Sequence, residues 1–166
     1  LNALRFNAAI KAAFADPVTG VGNKVHMMGD LEREIDLAKR HNQALSVLMI
    51  EVDSLCKSAS KALLKQSKLA TTDLAQRIVK LSRITDGVYR CESGTFMAIL
   101  SNTDRAGAHV MAKRISARAH DLVLVADQQD VQQLTLSVGM AVLTGTDSRT
   151  SLSDRAAQAL DNADNE

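Results

Sequence analysis

Residues 88–101 read Val88-Tyr89-Arg90-Cys91-Glu92-Ser93-Gly94-Thr95-Phe96-Met97-Ala98-Ile99-Leu100-Ser101. Two apolar runs, Val88–Cys91 and Thr95–Ser101, flank a Glu92-Ser93-Gly94 tip, which predicts a β-hairpin. Upstream, Leu45–Val52 (LSVLMIEV) is almost continuously apolar and predicts a central strand covered on both faces. Downstream, Leu134–Leu143 predicts another strand. The stretches between carry helical periodicity. Residues 24–41 place Met28, Leu31, Ile35 and Leu37–Ala38 on the apolar face, with Lys39 and Arg40 at the cation-favouring end. Residues 60–83 do the same with Leu63, Leu64, Leu69, Leu74, Ile78 and Leu81. Residues 104–121 and 150–163 predict two more helices, the last capped by Thr150 or Ser151. The Ala-rich stretch 1–15 predicts a helix that breaks at Asp16-Pro17-Val18-Thr19-Gly20. Residues 122–133 are ambiguous, since LVLVAD is compatible with a short extra strand. The expected fold class is α/β (α+β), with a single central, mostly antiparallel sheet of about five strands flanked by helices.

The 166 residues suit one domain with its own core, and 46% of them are apolar. A formal net charge of +1 gives no field for nucleic acid or a membrane surface. Aromatics make up only 2% and Trp is absent, so stacking platforms for single strands are excluded. Cys56 and Cys91 are far apart and fit no metal spacing; a reducing compartment is the natural reading. His26, His41, His109 and His120 share no ligand spacing with them. The methionines at 27, 28, 49, 97, 111 and 140 read as core fillers, and Ser137 as a strand residue without a catalytic partner. No apolar run approaches the ~20 residues of a membrane span. The start at Leu1, helical in character, reads as a piece of a longer chain.

Several strings in order resemble one family. Asp16-Pro17-Val18-Thr19-Gly20-Val21-Gly22-Asn23-Lys24 is similar to the opening of GGDEF domains, the diguanylate cyclase fold. Leu48-Met49-Ile50-Glu51-Val52-Asp53 resembles the family's first strand, which ends in D-x-D. Arg90-Cys91-Glu92-Ser93-Gly94-Thr95-Phe96 falls where the family has R-x-GGDEF. Leu134–Ala141 resembles its VTLSIGVA strand, and the final helix occupies the place of the ADxALYxAK helix. The resemblance covers residues 16–164 and implies a palm-like nucleotidyl-cyclase fold. The implied division is a linker or signalling helix at 1–15 and a degenerate GGDEF domain at 16–166.

An active member of the family condenses two GTP molecules into cyclic di-GMP. That reaction needs divalent metals held by carboxylates. In this chain the first carboxylate position is Glu51, a methylene longer, followed by Asp53. The signature string has become Glu92, Ser93, Gly94 and Thr95 before Phe96, so the acid at the fourth position is a threonine. The resemblance places guanine contacts at Ala59 and Lys68, where a methyl and an ammonium replace an amide and an acceptor. The phosphate-binding lysine corresponds to Asp164. No catalytic residue and no metal ligand is therefore expected, magnesium is disfavoured, and the chain is read as no enzyme.

The family's inhibitory product site, R-x-x-D, lies five residues before the signature string. Arg83-Ile84-Thr85-Asp86 stands in that register, and Arg114 matches the second arginine on the following helix. Arg can grip a guanine edge or phosphate through paired N–H groups, and Asp can accept from guanine N1–H and N2–H₂. R-x-x-D also occurs at Arg33–Asp36 and Arg118–Asp121, and such a pair on a helix is otherwise a surface ion pair worth ~0.2–0.5 kcal/mol. Two readings stand first: a cyclic di-GMP receptor acting through Arg83, Asp86 and Arg114, or a ligand-free module kept for dimerisation or a partner protein; a residual diguanylate cyclase is the third and least favoured. The first two imply an upstream sensory domain and a cytoplasmic setting, including the cytoplasmic part of a membrane-anchored protein.

Overall fold

A computed structural model describes residues 2–53, 61–127 and 130–163. The elements are α1 (Asn2–Phe14), α2 (Lys24–His41), β1 (Leu45–Val52), α3 (Lys61–Leu81), β2 (Gly87–Glu92), β3 (Thr95–Ser101), α4 (Arg105–His120), β4 (Val123–Asp127), β5 (Asp130–Gln133), β6 (Leu136–Val142) and α5 (Arg149–Ala163). The main sheet has the order β2-β3-β1-β6, and every neighbouring pair is antiparallel.

The near-continuous apolarity of β1 follows from its place. It lies between β3 and β6, and its two faces meet different layers. Leu48, Ile50 and Val52 pack with Leu74, Ile78, Met111 and Ile115 of α3 and α4. Val47 packs with Met27, Leu31 and Ile35 of α2 and with Leu152 and Ala156 of α5. Val47 and Leu48 are both fully buried although they point to opposite faces. α5 lies so close to β6 that a Cβ on Gly139 would overlap the Ala156 carbonyl and the Leu160 backbone.

The sheet has four strands rather than about five. The ambiguous 122–133 stretch does form strands, but β4 and β5 pair with each other in a separate two-stranded ribbon. The cap of α5 also differs from expectation. Ser148 precedes the helix, its Oγ accepts from the Ser151 N–H at 3.2 Å, and the Ser151 Oγ accepts from the Ser148 N–H at 2.9 Å. That exchange has the logic of a capping box, with two serines satisfying each other's orphan amides. Of the methionines, Met27, Met97 and Met111 are core, whereas Met28 is 38% exposed. Among the described residues no helix is long and apolar enough to cross a membrane.

Candidate functional site

The Asp16–Asn23 turn builds the frame. The Asp16 carboxylate accepts from the Thr19 amide at 2.8 Å and hydroxyl at 2.7 Å, and Gly20 closes the turn at φ +77°, a region glycine enters without strain. Burial raises the Asp16 carboxyl, but the bonds from Thr19 and the Arg90 guanidinium outweigh it and hold the group below the ordinary range. Arg90 lies 3.3 Å from Asp16 and its amide donates to the Gly22 carbonyl, which ties the turn to β2. Asn23 caps α2 by accepting from the His26 N–H, while its Nδ2 donates to Ala13 O and its amide to Phe14 O. The Phe14, His26 and Tyr89 rings follow in contact, at 5.4 and 5.6 Å between centroids.

At the far end of β2 the hairpin tip meets the end of β1. Glu51 pairs in register with Thr95 on one side and Ser137 on the other. Asp53 Oδ1 accepts from the Ser137 hydroxyl at 2.9 Å, and its amide donates to Thr135 O. Gly94 turns the hairpin at φ +81°, and its carbonyl accepts from the Val52 amide. A Cβ there would meet nothing within 4 Å, so backbone conformation, not close approach, is what the glycine supplies. Glu92 reaches back to Lys24 at 3.5 Å across an exposed pair, and Ser93 is exposed. Lys68 is exposed on α3. Ala59 and Asp164 lie outside the described residues. The expected catalytic-position residues Glu51, Asp53, Glu92, Ser93, Gly94 and Thr95 are thus brought together, and the side chain at position 95 is a hydroxyl. Among the described residues no three of His, Cys, Asp and Glu gather as a cation site would need.

At the near end of β2, Asp86 follows α3. Its Oδ2 accepts from the Arg83 amide at 2.8 Å, and its own amide donates to Arg83 O. Its Oδ1 is buried and has no hydrogen-bond partner, which is uncommon for a carboxylate oxygen. The Arg83 guanidinium, exposed, makes no ion pair among the described residues. Both residues line a cleft of about 400 Å³ with Gln76, Ser82 and Val88; Arg83 also lines a second, of about 300 Å³, with Asn102 and Asp104. The other two R-x-x-D strings differ. Arg33 pairs with Asp30 and Glu34 instead of Asp36, and Arg118 lies 3.8 Å from Asp121 on the surface. Arg114 is exposed on α4 and lines neither cleft.

Two arrangements were not foreseen from sequence. Asp147, buried, accepts from Thr144, Ser151 and Arg155, while its carbonyl accepts from Lys39. Burial raises its carboxyl, but those bonds, led by Arg155, hold it far below the ordinary range. Asp30 accepts from the Tyr89 hydroxyl at 2.5 Å and faces His26 and Arg33. Neither shows a sequence signal, because each is assembled from separate elements or from ordinary loop residues. Cys91 is held as a thiol, its pKa pushed up to about 11 by burial.

The family described as "Diguanylate cyclase, GGDEF domain" matches residues 13–166. No curated protein sequence matches the chain. Among solved structures, the coiled coil and GGDEF domain of DgcB from Caulobacter crescentus, in complex with c-di-GMP, superposes with TM-score 0.89 at 16% identity, covering 97% of this chain and 85% of that one. The diguanylate cyclase SiaD of Pseudomonas aeruginosa, in complex with its activator SiaC, gives 0.81 at 22% identity over 97% of this chain. This chain spans 62% of the SiaD chain. The FimX GGDEF domain of P. aeruginosa gives 0.78 at 20%, covering 90% and 93%.

Proposed function

Because the chain belongs to the GGDEF domain family of diguanylate cyclases, we propose that it is a catalytically inactive member that binds cyclic di-GMP at Arg83 and Asp86. The observation that carries this reading is the buried, unpartnered Oδ1 of Asp86 beside the Arg83 guanidinium, which makes no ion pair among the described residues, in one cleft. A buried carboxylate oxygen without a donor is unfavourable by about 1–3 kcal/mol. Guanine N1–H and N2–H₂ supply the missing donors. Arg83 then holds the O6/N7 edge or a phosphate, as paired N–H groups do. Arg114 lines neither cleft, so it enters as the arginine contributed from a second surface. The c-di-GMP complex of DgcB supports the ligand class.

Loss of cyclase activity is supported at the other end of β2. The donor set there, Glu51, Asp53 and the Thr95 hydroxyl, with Asp53 engaged by Ser137, does not fit a divalent pair on a triphosphate. Exposed Lys68 offers donors where guanine needs an acceptor. In this reading residues 1–15 are a signalling helix joined to a domain at 16–166, in a cytoplasmic setting. Helix α1 has no buried residue, and Leu4, Phe6 and Ile10 are 76%, 67% and 40% exposed. That exposure favours a homodimer or partner docking through α1, and it would stand even without a ligand.

Titration calorimetry with cyclic di-GMP tests the proposal. Binding is expected in the micromolar range, and Arg83→Ala should weaken it about 30-fold, the loss of one charge-assisted contact. No heat at tens of micromolar protein, or binding unchanged by Arg83→Ala, would sink the receptor reading. Product formation from GTP and Mg²⁺ would sink the claim of inactivity.

A further inference from the structure

The α2/α5 side of the sheet carries a cavity of about 430 Å³, of a size that takes small molecules. Four of the chain's six methionines line it: Met27, Met28, Met49 and Met97. They come from α2, β1 and β3, and Ala157 and Leu160 of α5 complete the apolar wall. The Cys91 thiol in its lining stays neutral, its pKa raised by burial. Thioether side chains are flexible and polarizable, and they favour contact with aromatic rings. Among the described residues the chain offers no aromatic ring to this wall.

The lip of the cavity sets the charge. Its two cations are already engaged, Lys24 by Glu92 and Arg149 by Glu32 at 3.1 Å. Asp154, exposed on the same lip, has no partner among the described residues. The open charge at the mouth is therefore negative.

We propose that this cavity is a binding site for a flat, largely apolar aromatic molecule bearing a cationic group, its ring against the methionines and its charge toward Asp154. The site is separate from the Arg83–Asp86 cleft and shares no lining residue with it. Its lip includes Glu92 and Thr95 of the hairpin tip, so an occupant bears directly on the turn that carries the altered signature string.

Thioflavin T, flat and cationic, and anilinonaphthalene sulfonate, apolar and anionic, are suitable probes. With methionine methyls labelled with ¹³C, thioflavin T should shift the signals of Met27, Met28, Met49 and Met97 and leave Met111 and Met140 in place. Asp154→Asn should weaken it about threefold, as expected for one exposed charge pair. Ala157→Phe, which fills the cavity, should abolish the shifts. Should that variant fail to fold, Ser153→Phe on the same lip serves instead. Arg83→Ala should change nothing, so failure here is distinct from failure of the cyclic di-GMP reading. Absence of shifts at millimolar dye, or equal binding of the anionic dye, overturns the proposal. So do shifts that grow with protein concentration alone, which would place a second copy in the cavity.

Discussion

Strand β2, Gly87–Glu92, has two ends, roughly 17 Å apart at the rise of a β-strand, and their polar groups are arranged oppositely. At the hairpin end, polar groups answer one another: Ser137 donates to Asp53, Lys24 pairs with Glu92, and Gly94 O accepts from Val52. At the other end, Asp86 Oδ1 has no donor, and among the described residues Arg83 has no anionic partner. A polar group satisfied within the chain has little to gain from a ligand, whereas a buried oxygen left unpaired gains a full hydrogen bond. That difference is what favours the Arg83–Asp86 end in the proposed receptor reading, since both ends carry strings that resemble the family's.

Both ends hang on the same scaffold, so the largest effect should come from breaking it. Gly139→Val pushes a side chain into the α5 backbone and should cost about 3 kcal/mol in urea unfolding. It should disable both ends together. Next comes the Asp147 latch, which lies where β6 turns into α5. Asp147→Asn should cost about 2 kcal/mol at pH 7, the scale of hydrogen bonds to a charged group. Because the folded carboxyl sits below its unfolded value, its contribution is complete above about pH 4. The gap between wild type and variant should therefore shrink as pH falls further, measured by denaturant melts. A smaller and more selective effect is expected of Asp86→Asn. Cyclic di-GMP affinity should fall about tenfold, with stability changed by under about 0.5 kcal/mol. The comparison fails if affinity holds while stability drops. The smallest effect is the sharpest test of the proposed inactivity: Glu92→Gly, Ser93→Gly, Gly94→Asp and Thr95→Glu together should yield no cyclic di-GMP, because Lys68 still offers donors where the resemblance places a guanine acceptor.

The order of elements was largely legible because burial writes itself into periodicity. α2 and β1 begin and end at the expected residues, since the apolar stripe of one and the two-sided burial of the other leave no alternative register. The β4–β5 ribbon was harder. Its apolar letters suit a sheet strand equally well, and only partner choice removes it from the sheet. The cap at Ser148 was missed because three neighbouring hydroxyl residues compete for one role. Arg83 and Asp86 were singled out only through the family resemblance, and the orphaned oxygen depends on how α3 turns into β2. The methionine wall had no sequence signal, its residues being drawn from positions 27 to 160.

Asn23 is the joint between two helices. One side chain and its amide hold the last turn of α1 and the first turn of α2 at once, through Ala13, Phe14 and His26. Such a joint behaves as a keyed coupling between two shafts, not as a tether. In the proposed reading of α1 as a signalling helix, twist delivered along it passes through Asn23 to α2 and to the tilted and edge-on contacts of Phe14, His26 and Tyr89 at the middle of β2.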